Sequence, residues 1–186
     1  MTIAGHVLAR HDLSILAVVR RIVDGANNRQ TQGAAMNLEE IELIKQLKGK
    51  YFRFLDTNAW QDMAEIFVPD ATATYSDGDH SFDSRDAIIK FLSGSMSGRQ
   101  FLSMHTAHHP EITLTGGDTA EGIWYLHDIV YALKYKMQIS GNGIYRDLYR
   151  KVDGRWLIVH TGYQRIFEVH DTLGENFKVV KNNYKD

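Results

Sequence analysis

The sequence predicts an α+β fold in which a curved antiparallel sheet packs over three helices. Helical periodicity is confined to the first half of the chain, and from residue 101 onward the pattern is that of strands separated by turns. Of the 186 residues, 44% are hydrophobic and 11% are aromatic, which is enough for a core and favours strands or an aromatic-lined cavity. A curved sheet over helices leaves an open mouth, where a ligand pocket is expected.

Three amphipathic segments are predicted to be helices. Residues 38–56 carry a wide apolar stripe, so this helix should pack on a large surface. Apolar residues in 59–67 repeat at helical spacing, and Ser84 is a suitable N-cap for a third helix over residues 85–96. These segments precede the long strands and supply the helical layer of the fold.

Alternating patterns predict one small hairpin and a four-stranded meander. The hairpin occupies residues 71–84 and turns at Asp77 and Gly78. The meander strands lie within residues 101–114, 121–137, 143–152 and 155–169, with turns at 115–120, 140–143 and 153–154.

The chain divides into three parts. Residues 1–36 are predicted to form an N-terminal helical extension, residues 37–175 the main domain and residues 176–186 a C-terminal tail. The apolar run at 13–23 is interrupted by two arginines, lacks a signal-peptide cleavage pattern and is too short to span a bilayer. We therefore expect a cytoplasmic protein without membrane association.

Composition excludes several classes of chemistry. There is no cysteine, so disulfides, thiolate catalysis and cysteine-based zinc sites are excluded. The formal net charge is −2, with interspersed charges and no basic stripe, which argues against nucleic acid as a partner. The aromatic content and the pocket expected in the open mouth favour a hydrophobic small molecule as the partner.

Three of the nine histidines lie in the stretch FLSMHTAHHPEITL, residues 101–114. Strand alternation places His105 and His109 on one face and His108 on the other, while Pro110 marks a bulge that can reset this order. The three side chains are therefore not expected to converge on a metal ion. From its surroundings alone, His105 is either a hydrogen-bonded core residue or an acid–base residue.

Five motifs occur in order along the chain: YFRFLD at 51–56, WQDMAEIFVPDATATY at 60–75, SRDAIIKFL at 84–92, SMHTAHHPEI at 103–112 and GIYRDLYRKVDGRWLI at 143–158. In order and spacing they resemble the SnoaL-like group of the NTF2-like superfamily, a cystatin-like α+β cone. The resemblance covers about residues 37–170. The group includes polyketide cyclases, scytalone dehydratase, bile-acid dehydratase and hexachlorocyclohexane dehydrochlorinase, and the fold hosts enzymes and non-enzymes alike.

The resemblance implies a set of catalytic residues. In the dehydratase and dehydrochlorinase branch, an aspartate near the end of the first helix pairs with a histidine at the start of a central strand. The matching residues here are Asp56 and His105, and Tyr51 and Asp128 match a tyrosine and a second aspartate of that branch. His105 would abstract a proton while Asp56 orients its ring, and the other two would handle the developing or departing oxygen.

Each of these partners of His105 also has an ordinary structural interpretation. Asp56 ends a helix, where aspartate is often a cap or turn residue. Tyr51 lies about 140° from Asp56 around an ideal helix, so it fills a core as readily as it lines a pocket. Asp128 shares an apolar strand face with Trp124 and needs either a cavity or a basic partner.

Four further residues are predicted to bind the substrate. Trp124, Tyr75 and Phe52 suit a flat hydrophobic molecule, although aromatics also fill ordinary cores. Arg146 is either a clamp for an anionic or carbonyl group or a solvated charge. Relatives often carry a basic residue shortly after the DGxW strand, and the corresponding position here holds Thr161.

The favoured function is a cofactor-independent lyase or isomerase of the dehydratase type, which uses the His105–Asp56 dyad to abstract a proton. A non-catalytic ligand-binding module of the same fold and a small-subunit-like partner of a ring-hydroxylating dioxygenase remain alternatives. No metal or other cofactor is expected.

The run at residues 123–135 carries apolar and aromatic residues on both alternating faces. A sheet that is solvated on one face normally alternates with polar residues, so the outer face is expected to need a cover. A closed homodimer or homotrimer is the simplest cover.

Overall fold

The computed structural model describes residues 37–184 and confirms the predicted α+β class. Helix α1 runs through residues 37–56, α2 spans Trp60–Glu65 and α3 spans Arg85–Met96. The Ser84 hydroxyl oxygen accepts a 3.4 Å hydrogen bond from a backbone N–H in the first turn of α3, so the predicted N-cap is confirmed.

Six strands form one sheet: β1 Phe67–Tyr75, β2 His80–Phe82, β3 Phe101–Leu114, β4 Thr119–Ala132, β5 Met137–Val152 and β6 Arg155–Thr172. Their spatial order is β2-β1-β6-β5-β4-β3. The predicted hairpin, β1–β2, and the predicted meander, β3 to β6, are both present. All neighbouring pairs are antiparallel except β1 and β6, which are parallel and join the hairpin to the meander.

The turn predicted at residues 140–143 is wrong. The chain reverses earlier, through a short 3-10 helix at Leu133–Tyr135 followed by Lys136, whose φ is 50°. Residues 140–143 instead lie inside β5 and pair with both neighbouring strands. The glycines of this stretch therefore belong to a strand and do not form a turn.

Gly141 and Gly143 let β6 lie close to β5. A Cβ atom on Gly141 would lie 2.8 Å from Nη1 of Arg165, and one on Gly143 would lie 2.8 Å from the backbone oxygen of Gln164. The register of β5 and β6 shifts beside Gly143, as in a β-bulge. The missing side chain at Gly141 leaves room for Arg165 to reach across β5 toward β4.

The two faces of the sheet differ in burial. Along β4 the even-numbered residues are buried, whereas the odd-numbered ones are half-buried or exposed. The buried side, here called the inner face, shares one hydrophobic core with all three helices, which contribute Ile44, Met63 and Ile88 among others. The opposite side, the outer face, exposes several large apolar side chains: Met104, Tyr125, Leu148, Phe167 and Val169.

Residues 173–184, which follow the sheet, contain no helix or strand. The predicted N-terminal extension, residues 1–36, and the last two residues, 185–186, lie outside the described residues. Within residues 37–184, every helix is too short or too polar to cross a bilayer.

Candidate active site

A cavity of about 540 Å³ lies between α1 and strands β3 and β4. One side of it is formed by Trp124 on β4 and by five residues of β3: His105, Thr106, Ala107, His108 and Pro110. The α1 residues on the other side recur at helical spacing, so one stripe of this helix forms the wall. They are Lys45, Lys48, Gly49, Phe52, Arg53 and Asp56.

The side chains of Asp56 and His105 are in contact in this cavity. Nδ1–H of His105 donates to Oδ1 of Asp56 at 2.7 Å. Two more hydrogen bonds fix the carboxylate, because the His105 backbone N–H donates to Oδ2 at 2.9 Å and the Ser103 hydroxyl donates to Oδ1 at 2.8 Å. The end of α1 is thereby fastened to β3 through one carboxylate.

This geometry decides which nitrogen of His105 is free to react. An ionised carboxylate can only accept hydrogen bonds, so in the neutral ring Nδ1 carries the proton and Nε2 does not. No group within residues 37–184 hydrogen-bonds Nε2. The side chains of His105 and Asp56 are 8% and 20% exposed, so the pair is shielded yet reachable. Nε2 can accept a proton while Asp56 stabilises the imidazolium that results.

Phe52 and Trp124 lie in the cavity wall beside this pair. The Phe52 ring stacks on the imidazole of His105, with ring centroids 5.8 Å apart and ring planes at 10°. The indole Nε1–H of Trp124 donates to the Tyr149 hydroxyl at 3.0 Å, which fixes the indole. Two of the four predicted substrate-binding residues therefore line the same cavity as His105.

Tyr51 and Tyr75 lie in the core and do not line the cavity. The Tyr51 hydroxyl donates to the Tyr75 hydroxyl at 3.1 Å, and the Tyr51 ring packs edge-on against Phe67 and Tyr145. Burial raises the pKa of both hydroxyls well above their ordinary value. Helix geometry explains the placement of Tyr51, because five residues of α1 turn it to a different side from Asp56.

Asp128 lies on the inner face, directly opposite His105 in the β3–β4 pairing, but it is bound to Arg165. Nη1 and Nη2 of Arg165 donate to its two carboxylate oxygens at 2.5 and 2.9 Å. Burial is the largest single influence on the pKa of Arg165 and would lower it, but hydrogen bonding and charge attraction from Asp128, together with Tyr163 and Glu168, add up to a raised pKa. The structure therefore shows the salt-bridge alternative for Asp128 in place of the predicted catalytic role.

Arg146 lies on the outer face of the sheet. Its neighbours in β5, Tyr145 and Asp147, are buried on the inner face, whereas Arg146 is exposed. Strand alternation therefore directs Arg146 away from the cavity that contains His105. The expectation that Arg146 clamps a ligand of His105 is wrong for this reason.

His108 borders the same cavity as His105, whereas His109 is not among the residues that line it. His109 has a φ of 49°, and the β3–β4 register shifts between His108 and Glu111, so a bulge beside Pro110 resets the alternation. Both histidines are exposed. Within residues 37–184, no three histidine, aspartate or glutamate side chains are placed to share a metal ion.

The sequence profile of the SnoaL-like domain matches residues 36–162. The chain belongs to the SnoaL-like family. A curated relative of this SnoaL-like protein, named as a probable cyclase from Gibberella zeae, is 23% identical over 143 residues. The match covers 72% of this chain and 95% of the relative.

Solved structures also resemble this SnoaL-like protein. A protein provisionally named a scytalone dehydratase, from Novosphingobium aromaticivorans, is 25% identical with a TM-score of 0.66, and the match covers 72% of this chain and 88% of that one. The LinA-type3 hexachlorocyclohexane dehydrochlorinase of Novosphingobium barchaimii is 14% identical with a TM-score of 0.66, covering 78% and 97%. An NTF2-like protein with a cystatin-like fold from N. aromaticivorans is 19% identical with a TM-score of 0.60, covering 72% and 86%. The last two likenesses concern the fold, and they agree with the predicted NTF2-like class.

A second polar cluster of the SnoaL-like domain, centred on Lys48 and Asp147, is absent from the sequence-based predictions. Nζ of Lys48 lies 2.7 Å from Oδ2 of Asp147, and both side chains are at most 1% exposed. The Tyr149 hydroxyl donates to Oδ2 at 2.7 Å, and the Thr161 hydroxyl donates to Oδ1 at 2.8 Å. The carboxylate of Asp147 thus has three partners inside the core.

Aromatic rings surround the ammonium group of Lys48. Its Nζ lies 3.5 Å from the ring centroid of Tyr145, 4.8 Å from that of Tyr51 and 5.1 Å from that of Phe52. Burial lowers the pKa of Lys48, and Asp147 acts in the opposite direction. The sequence does carry a signal for this pair, since Lys48 interrupts an apolar helical stripe and Asp147 lies between two tyrosines of equal strand parity.

Proposed function

We propose that this SnoaL-like domain is a cofactor-independent lyase or isomerase of the dehydratase type that acts on a hydrophobic small molecule. The observation that carries the proposal is the 2.7 Å contact of Asp56 with Nδ1 of His105, which leaves Nε2 as a base in a cavity wall. Relatives named as a probable cyclase and, provisionally, as a scytalone dehydratase support a reaction of this class.

The reaction starts at a C–H bond next to a carbonyl or a leaving group. Nε2 of His105 accepts the proton, and the electrons of the C–H bond form a new C=C bond. In an elimination, the leaving group departs with its bonding electron pair as the C=C bond forms, and the proton on Nε2 passes to the departing group or to water. In an isomerisation, the carbonyl π electrons move onto oxygen as the C=C bond forms, and they move back when the proton on Nε2 is delivered to another carbon. Asp56 accepts the Nδ1–H hydrogen bond throughout and stabilises the positive charge on the ring. Proton transfer of this kind needs no cofactor.

The cavity wall favours such a proton transfer. Phe52 covers one face of the imidazole, and Ala107 and Trp124 extend the apolar surface beside it. Low polarity strengthens the attraction between Asp56 and the imidazolium. The same surface suits a flat apolar substrate.

A non-catalytic ligand-binding module is the second candidate. The observation that favours it is the placement of Tyr51 and Asp128, since both are engaged away from the cavity. The two residues that were expected to handle the developing oxygen therefore do not line the cavity that contains His105. In this case the hydrogen bonds of Asp56 would only fasten α1 to β3.

The Kemp elimination of 5-nitrobenzisoxazole tests for a positioned base without knowledge of the natural substrate. A base removes the ring C–H proton, the N–O bond breaks, and the product is a coloured nitrophenolate that carries a nitrile. The wild-type protein is expected to accelerate this reaction above free imidazole at equal concentration. His105→Gln is expected to reduce the acceleration by roughly 10²–10⁴-fold, the usual contribution of a general base.

His170→Gln is the matched control, because His170 is an exposed histidine of β6 that contacts Glu168 and lies outside the cavity lining. Its rate should equal that of the wild type. Circular dichroism checks that each variant is folded. An acceleration that survives His105→Gln, or no acceleration at all, would favour the ligand-binding module over the enzyme.

A further inference from the structure

Lys45, Gly49 and Arg53 stand one helical turn apart along α1 and line the cavity that contains Asp56 and His105. All three α1 residues are exposed, so they form the rim of this cavity. A Cβ atom added to Gly49 would meet nothing within 4 Å. The glycine therefore leaves a gap between two cations, and we call these three residues the cationic notch.

The carboxylate that lines this cavity, Asp56, and the buried carboxylate of Asp147 are already engaged. Asp56 accepts three hydrogen bonds from β3, and Asp147 is sealed in the core with Lys48. Lys48 compensates the charge of Asp147, and three hydrogen bonds hold the Asp56 carboxylate against β3.

The two cations of the notch, in contrast, are available to a ligand. Within residues 37–184, Arg53 has no carboxylate within ion-pair distance, and its guanidinium carbon lies 4.5 Å from the centroid of the Phe54 ring. Nζ of Lys45 lies 3.5 Å from Glu42, but both side chains are well exposed, and such surface pairs contribute little. An anion at the notch would therefore gain two cationic partners at small cost.

We propose that the cationic notch binds an anionic group of the substrate, and that this group is a carboxylate on a flat apolar body. The notch extends over about 12 Å of helix axis, from Lys45 to Arg53, so both long side chains can close over a group that lies at Gly49. The apolar body would then lie against Phe52 and Trp124, within reach of Nε2 of His105. This substrate class rests on the proposed function of the same cavity.

Isothermal titration calorimetry with 2-naphthoate and 2-naphthamide tests the notch. The two probes share a flat body and differ mainly in charge. We expect the carboxylate to bind about tenfold more tightly than the amide, and its affinity to fall as salt is added, because salt screens exposed charges. Absence of naphthoate binding at millimolar concentration, or equal affinity for the amide, would overturn the proposal.

Variants of α1 show which residues contact the carboxylate of bound naphthoate. Arg53→Gln and Lys45→Gln are each expected to weaken naphthoate binding about fivefold while leaving naphthamide unchanged. Lys50→Gln is the matched control, because Lys50 lines a different cavity on the same helix. A loss in Lys50→Gln as large as that in Arg53→Gln would show that only the general charge of the helix matters, and would overturn the notch.

Gly49→Ala and Gly49→Leu test whether the open space at Gly49 is needed for binding, because both variants keep the charges of Lys45 and Arg53. Alanine in an open helical position should raise the melting temperature, whereas leucine should also block naphthoate binding. Unchanged naphthoate affinity in Gly49→Leu would contradict the placement of the carboxylate. Binding is measured without turnover, and His105→Gln is expected to retain it. A failure of the enzyme proposal therefore leaves this test intact.

Discussion

Helix α1 contributes one charged residue to each of two pairs with the sheet, and the surroundings of these pairs differ. Lys48 and Asp147 are at most 1% exposed, and aromatic rings surround the Lys48 ammonium, so this pair is buried even though Lys48 borders the cavity. Asp56 and His105 are 20% and 8% exposed and line a cavity. The buried pair stabilises one arrangement of the core. His105, whose Nε2 has no hydrogen-bond partner within residues 37–184, can also take up a proton. Both pairs carry charge, so the difference between a structural role and a role in proton transfer lies in how accessible each pair is to a ligand.

Breaking the sealed pair is expected to give the largest effect. Lys48→Met leaves Asp147 buried without its cation, and such a change typically costs about 3–5 kcal/mol of unfolding free energy. Asp147→Asn removes the stranded charge and keeps hydrogen-bonding capacity for Tyr149 and Thr161, so the double variant should recover part of the loss. Urea unfolding of the wild type, both single variants and the double variant measures this coupling. A Lys48→Met protein within about 1 kcal/mol of the wild type would contradict the comparison.

Alkaline pH is expected to lower the free energy of unfolding through the buried tyrosines around Lys48 and Asp147. The pKa values of Tyr51, Tyr75, Tyr145 and Tyr149 are all raised, chiefly by burial. In the unfolded chain a tyrosine ionises near pH 10, so above this pH the unfolded state releases protons that the folded state keeps. The stability linked to these hydroxyls is complete below about pH 10 and falls as the pH rises, by about 1.4 kcal/mol per pH unit for each tyrosine.

The ionisation of Lys48 changes the free energy of unfolding in the opposite direction over part of the alkaline pH range. Its pKa is lowered from 10.5, so the unfolded state holds the proton more tightly and stability from this group increases between the two pKa values. One lysine does not offset four tyrosines. Tyrosinate absorbance and circular dichroism, followed together during an alkaline titration, should show these hydroxyls ionising only as the protein unfolds. Ionisation of all tyrosines in a protein that stays folded would disprove this.

Changing the Asp56–His105 pair should destabilise the fold less than Lys48→Met does, but it should reduce the reaction rate more. In Asp56→Asn the amide oxygen can still accept from Ser103, but it no longer provides the charge that stabilises a protonated His105. We expect a loss of about 1 kcal/mol in unfolding free energy, the usual net value of one hydrogen bond. The rate of the Kemp elimination should fall by at least about tenfold. If instead stability falls as far as in Lys48→Met and the rate is unchanged, the two pairs do not differ in role.

The outer face should matter least for the stability of a single protomer. We propose that its exposed residues, among them Tyr125 and Phe167, are covered by further copies of the chain in a homodimer or homotrimer. Light scattering should then give two or three times the chain mass of 21.2 kDa. Phe167→Glu should produce monomers whose protomer stability is within about 0.5 kcal/mol of the wild type. A wild-type protein that is monomeric at micromolar concentration would rule this assembly out.

Short-range patterns account for what the sequence by itself determined. The Ser84 cap of α3, the hairpin turn at Gly78 and the strands that follow residue 101 depend on capping, turn chemistry and alternation, which act over a few residues. The pairing of Asp56 with His105 is different, because the resemblance to the SnoaL-like group implied it and local patterns did not. In the structure Oδ1 of Asp56 lies 2.7 Å from Nδ1 of His105.

Only the tertiary structure decided which polar side chains meet. Asp128 is held by Arg165 because Gly141, which by itself suggests a turn, lets the guanidinium cross β5. Lys48 and Asp147 each look out of place on an apolar surface, and nothing in either local pattern shows that they face one another. Pairing across a fold depends on strand order, bulges and helix rotation. These are set by the packing of the whole core, so local sequence carries the residue types but not their partners.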